Sequence, residues 1–256
     1  MHNSNVKKLN AIYLVIIIAV LGVFSLSPIP QSLDYHNFSD QRQLLGIAHF
    51  WNVISNLPFI AVSFIAVKNL LNEGSLKYPK KLFLSYLVFF VGVGVIGIGS
   101  IYYHLQLNNE TLLWDRLPMT IAFMAFMSII IGEYISEKVA STALIPLVLI
   151  GIISVIYWYI TEQAGQGDLR PYALVQFLPM VIIPMVLLMF PARYTHTIYL
   201  WGMLAVYVLA KVFELFDNNL FNLVGMGGHA IKHVFSAIGP YLFFLALRKR
   251  ECIGEK

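Results

Sequence analysis

Residues 82–105 read LFLSYLVFFVGVGVIGIGSIYYHL, a run without Lys, Arg, Asp or Glu that closes on His104. An apolar stretch of this length crosses a bilayer as a helix, for which about 20 residues suffice. Gly92, Gly94, Gly97 and Gly99 in its second half let neighbouring helices approach closely in lipid. Similar runs lie on either side, at about Ala11–Leu26, Gly46–Leu70, Leu113–Glu133, Ala140–Ile160, Tyr172–Phe190, Thr195–Leu215 and Gly228–Leu247. The expected fold class is therefore all-α, a polytopic membrane helix bundle. It would have a seven-helix core plus an extra N-terminal transmembrane helix.

Composition agrees. Of 256 residues, 59% are hydrophobic and 12% charged, and the mean hydropathy is +0.74. Soluble domains carry roughly a quarter charged residues, so an ordinary soluble domain is excluded. The single cysteine, Cys252, excludes an intramolecular disulfide framework and a thiolate metal cluster. The net charge of +4 would suggest nucleic acid in a soluble protein, but here the basic residues fall between apolar runs. Residues 1–30 are expected to form an N-terminal tail and anchor helix, 31–248 the seven-helix membrane domain, and 249–256 a basic cytoplasmic tail. Pro28 and Pro30 end the first run. A cleaved signal segment is the alternative for that run, because Ser25-Leu26-Ser27 offers small residues near a cut site.

Positive charge orients the bundle. A cytoplasmic N-terminus puts Lys7, Lys8, Lys77, Lys80, Lys81, Arg193 and Arg248–Arg250 on the cytoplasmic side, with Lys68, Lys138 and Lys256. Only Arg42, Arg116, Arg170, Lys211 and Lys232 are left over, and such a bias predicts both termini inside. By the same count, Ser100 and His104 end one span at the outer leaflet. Asp115 starts the next span there, and His229 and His233 start the last. Polar residues distant in sequence thus reach one leaflet by a count that uses none of their chemistry.

Residues four apart share a helix face, so His229 and His233 can offer two imidazoles to one ion, with His104 as a third. Three histidines leave a fourth zinc position for water, whose pKa zinc lowers to about 7. Asp115 could take a proton from that water and pass it to a leaving amine, while Ser100 could donate to a developing oxyanion. Each residue alone has a plainer account: histidines bonded to backbone, a helix-packing serine, a helix-capping aspartate. Their shared leaflet and spacing favour the metal.

Ser100-x-x-x-His104, Trp114-Asp115-Arg116-Leu117-Pro118-Met119 and Gly228-His229-x-x-Lys232-His233 together resemble the alkaline ceramidase family. That family belongs to a wider group of seven-helix membrane hydrolases that includes the adiponectin receptors. Phe50-Trp51-Asn52-Val53-Ile54-Ser55-Asn56-Leu57-Pro58-Phe59 is similar to its first core helix. The resemblance implies zinc held by His104, His229 and His233, with catalysis by Asp115 on the zinc water and by Ser100 on the transition state. It implies a membrane lipid substrate, ceramide, cleaved to sphingoid base and fatty acid. Two features depart from the pattern. The first helix is extra, and His49 stands where eukaryotic members have a carboxylate of a calcium site. Asp34, Asn37 and Asp40 could still supply oxygens to Ca2+, but a solvated polar loop is the simpler account.

Two other functions compete with a zinc hydrolase: a lipid-binding receptor with a structural zinc, and a metal or proton transporter. The second is disfavoured because the polar residues cluster in one leaflet and form no path. Asn52, Ser55 and Asn56 are expected to hydrogen-bond between helices, with support of a metal ligand as the alternative. Lys211 and Glu214 are expected to form a buried ion pair. Lys232 points off the face shared by the two histidines and is not read as a ligand.

Overall fold

The computed structural model describes residues 2–254. It is helical throughout, with no β-strand among the described residues. The helices are α1 (His2–Phe24), α2 (Phe50–Ile54), α3 (Leu57–Leu71), α4 (Phe83–Leu105), α5 (Asn109–Tyr134), α6 (Glu137–Gln163), α7 (Arg170–Met189), α8 (Ile198–Leu215), α9 (Asp217–Val224) and α10 (Gly228–Lys249). Counting α2 and α3 as one span, 8 helices among the described residues are long and apolar enough to cross a membrane. The protein is a polytopic membrane helix bundle, as its sequence predicts.

Differences in helix boundaries have local causes. The second span is two helices, because Pro58 in the first turn of α3 has no N–H to continue the ladder. Two side chains bond one carbonyl at the break. The Asn56 amide donates to Asn52 C=O at 2.7 Å and the Ser55 hydroxyl donates to the same oxygen at 3.2 Å. α5 starts at Asn109, earlier than the expected Leu113, because a capping box satisfies its first turn. Asn108 Oδ1 accepts from the Thr111 N–H at 2.8 Å, and the Thr111 hydroxyl accepts from the Asn108 N–H at 3.3 Å. The short helix α9 was not expected; it lies across the end of the bundle between α8 and α10.

The central helix is α5, which packs against α4, α6 and α7 and is the most buried of the spans. On its far side from the loops that cover the site, Phe89, Phe90, Phe126 and Phe243 interlock at centroid distances of 5.0–5.9 Å. Outward-facing positions are apolar instead of charged: Phe64, Val95, Ile98, Ile153 and Val208 are all exposed. That inversion is what a bilayer, not water, requires. α1 stands at the periphery, packed on α7.

The two ends of the bundle differ. At one end, Arg250 is buried and donates to both oxygens of Glu133 at 2.6 and 2.9 Å, with Tyr86 bonded to the same carboxylate. Arg250, in the segment expected as a basic cytoplasmic tail, ties the end of α10 to α5. At the other end, the last turn of α4 and the first turns of α5 and α10 come together, and loop 25–49 folds over them.

Candidate metal centre

Two glycines set the approach of two helix pairs, α4 to α5 and α10 to α8. A Cβ on Gly99 of α4 would sit 2.1 Å from the Trp114 carbonyl oxygen of α5, and one on Gly228 of α10 would sit 2.0 Å from the Phe213 carbonyl oxygen of α8. Both neighbours are backbone and cannot swing aside. Only glycine admits these contacts, and each lies within a turn and a half of a histidine.

His104, His229 and His233 meet in the resulting crevice. One ring nitrogen from each lies within 4.8 Å of the others, and ring centroids are 4.8–5.0 Å apart. All three rings are buried, and neither nitrogen of His104 has a hydrogen-bond partner. Burying a polar atom without a partner costs on the order of 1–3 kcal/mol, so the bare His104 imidazole is poised for a ligand that protein groups do not supply. The residues fit a metal ion.

Neighbouring groups orient the rings. Ser55, at the break between α2 and α3, lies 2.9 Å from His233 Nδ1. Because the Ser55 hydroxyl donates to Asn52 C=O, it is free to accept from an Nδ1–H, which leaves the Nε2 lone pair for an ion. The sequence raised this support only as the alternative role of Ser55. Asp217 of α9 accepts from the His229 backbone N–H at 2.8 Å and from the Ser39 N–H at 2.8 Å, so it caps α10 and pins the covering loop. Phe38 from that loop stacks on His229 at 4.0 Å and lies 5.0 Å from His104. His36 bridges Tyr103 Oη at 2.8 Å and Asn109 Oδ1 at 3.0 Å, and burial holds its ring below the ordinary imidazole range.

Ser100 and Asp115, with His233, line one cavity of about 520 Å3. The Ser100 hydroxyl is within reach of the Asp115 carboxylate. From this polar end the cavity runs between α4, α5, α7, α8 and α10 past Phe89, Val93, Phe126, Met180 and Met203. Its volume is in the ordinary range for small-molecule sites, and its apolar length suits a hydrocarbon chain. All five residues proposed from sequence are therefore at one end of the bundle.

The expected pair of Lys211 and Glu214 is present at 2.8 Å, but it is partly exposed instead of buried, with side chains 35% and 21% accessible. Its extension was not foreseen: Lys232 also bonds Glu214, whose Oε1 lies 3.9 Å from His229 Nδ1. The signal for this triad was an acidic residue in an apolar span with two lysines to share it. Asp40, weighed as a calcium ligand, gives both oxygens to Arg42, at 2.8 and 2.6 Å.

The sequence model of one family, described as Ceramidase, matches residues 42–255. No individual curated protein matches the chain. Because the family match runs from the covering loop through all three histidines and the cavity helices, the chain belongs to the ceramidase family.

Proposed function

We propose that the chain is a zinc-dependent hydrolase of ceramide-like lipid amides, with His104, His229 and His233 as metal ligands and Asp115 and Ser100 as catalytic residues. The observation that carries this reading is the opening of a long apolar cavity onto the histidine cluster, with a carboxylate and a hydroxyl on the wall between them. An all-imidazole set of three leaves a coordination position open, which separates catalytic zinc sites from closed structural ones. The bound ion supplies Lewis acidity, polarising a carbonyl and making water a nucleophile near neutral pH.

The chain's own residues do the rest. Phe89, Phe126, Met180 and Met203 take the acyl chain and set the amide at the polar end. Asp115 accepts a proton from the attacking water as the C–O bond forms. It then delivers that proton to the amide nitrogen as the C–N bond breaks, releasing an amine and a fatty acid. Ser100 donates to the carbonyl oxygen as charge develops on it. Phe38 keeps bulk water off the histidines, which strengthens these interactions.

The charge bias of the loops supports cytoplasmic termini and a site toward the opposite face of the membrane. The peripheral packing of α1 on α7 supports its reading as an anchor added to a seven-helix core over 31–248. The test is direct. Purified protein incubated with labelled ceramide should release fatty acid, and chelation or Asp115→Asn should stop the release while Asp115→Asn keeps its metal. No release from the metal-loaded wild type would overturn the reading.

A further inference from the structure

Arg116 follows Asp115 in α5 and faces the same cavity, yet its surroundings are unlike those of any other cation among the described residues. Only 4% of the residue is exposed. Its Nη2 donates to Gln31 Oε1 at 2.6 Å, while Nε and Nη1 are buried without a partner. It makes no ion pair among the described residues. In place of a carboxylate, three aromatic faces hold it, with Trp158, Tyr172 and Tyr35 at 4.3, 4.8 and 5.3 Å from the guanidinium carbon.

Aromatic faces offset part of the desolvation of a buried cation but accept none of its in-plane N–H groups. With Nε and Nη1 bare and the second Nη2 hydrogen still free, the guanidinium can hold a planar or tetrahedral oxyanion in bidentate fashion through Nη2 and one of its neighbours. The charges around the cavity point the same way. Lys211 and Lys232 share Glu214, Asp115 is the other carboxylate on the wall, and Arg116 is the third cation. One positive charge is left without a counterpart. Gln31 and Tyr35, which roof Arg116, come from the segment before residue 42, outside the family match.

We infer that Arg116, with Gln31 beside it, is a binding site for an oxyanion carried by the lipid in the cavity. Two lipids could bring one: an acidic substrate with a carboxylate or phosphate on its amine portion, or the fatty acid released by hydrolysis. The inference deepens the hydrolase reading by naming the substrate or product group recognised, and it rests on that reading only for turnover.

Binding is tested first, on the purified full-length protein in neutral detergent. A fatty acid should bind roughly tenfold or more tightly than the fatty alcohol of equal chain length, as one charge-assisted contact to a buried fork provides. In Arg116→Gln that preference should vanish, and Arg116→Lys should restore part of it. Equal binding of acid and alcohol by the wild type, or a preference that survives Arg116→Gln, overturns the site. The wild-type comparison stands even if the variants do not fold.

Turnover then separates the two sources. If wild type favours an acidic lipid amide over neutral ceramide in kcat/KM and Arg116→Gln loses that ratio, the substrate carries the anion. If the ratio is unaffected but inhibition by fatty acid weakens, the product does. Carboxylate binding without any turnover would sink the hydrolase and leave the oxyanion site standing, whereas turnover without carboxylate preference would do the reverse.

Discussion

Ser55 Oγ lies 2.9 Å from His233 Nδ1, so a hydroxyl at a broken helix fixes the ring of a residue far along the chain. The Ser55 hydroxyl donates to the Asn52 carbonyl one turn back, and its lone pair turns to the histidine.

Ser55→Ala should therefore weaken metal binding by about tenfold to a hundredfold, the usual effect of losing a group that orients a histidine ligand. The fold should survive with a loss of about 1 kcal/mol. Competition with a chelator of known affinity measures the first effect and a thermal melt in detergent the second. Unchanged metal affinity would mean that His233 is held without Ser55, by packing and by Asn56, whose Nδ2 lies 3.3 Å from the same nitrogen.

Gly99→Ala and Gly228→Ala should each lower metal occupancy without touching a ligand. The added methyl meets a backbone oxygen at 2.1 or 2.0 Å, and the helices must separate to admit it. Overpacking of this kind costs about 1–3 kcal/mol, and here the strain lands on the helices that carry His104 and His229. Metal analysis of the purified variants is the measurement. Gly22→Ala, whose added carbon meets no atom within 4 Å, is the control.

Glu133→Gln should destabilise the bundle by about 3–5 kcal/mol, the cost of leaving one buried charge unpaired. Arg250 would keep its bond to the Lys77 carbonyl but lose its counter-ion. Because this network lies at the end away from the histidines, molecules that remain folded should still hold a full complement of metal. Metal loss in step with stability would show that the two ends are coupled.

Asp168, in the loop before α7, is held below the usual carboxylate range, chiefly by the Arg170 side chain that pairs with it at 2.8 Å. A group with a depressed folded pKa adds stability above its unfolded value and loses it as pH falls through the folded one. The melting-temperature gap between wild type and Asp168→Asn should be present at pH 7 and close as pH drops below 3.8, the ordinary value. Arg170 also donates to Leu26 C=O at 2.5 Å, so the end of α1 should loosen over the same range. A gap that stays constant with pH would count against the pair.

Much of the protein was legible in its residues. Apolar runs such as 82–105 can only be spans, since lipid offers the backbone no partner and a helix supplies its own. The spacing of His229 and His233, and the charge count that brought His104 and Asp115 to the same leaflet, follow from helix periodicity and loop chemistry. These properties are local. Each is decided by residues within a few turns of one another, and so a linear reading reaches them.

Tertiary structure decided the rest, and Arg116 marks the difference. In sequence it is one basic residue after an aspartate; in the folded chain it sits among Trp158, Tyr172 and Tyr35 with half its fork bare, because helices far apart in sequence pack around it. The same holds for Ser55 on His233, Asp217 at the start of α10, and Glu214 shared by two lysines. Whether a buried polar group is satisfied depends on which distant partners packing brings within 3 Å, and no pattern along the chain encodes that distance. Sequence alone determined where the helices run and which residues could carry the chemistry. Only the packing determined which polar groups are satisfied and which, like His104 and Arg116, are left open for a ligand.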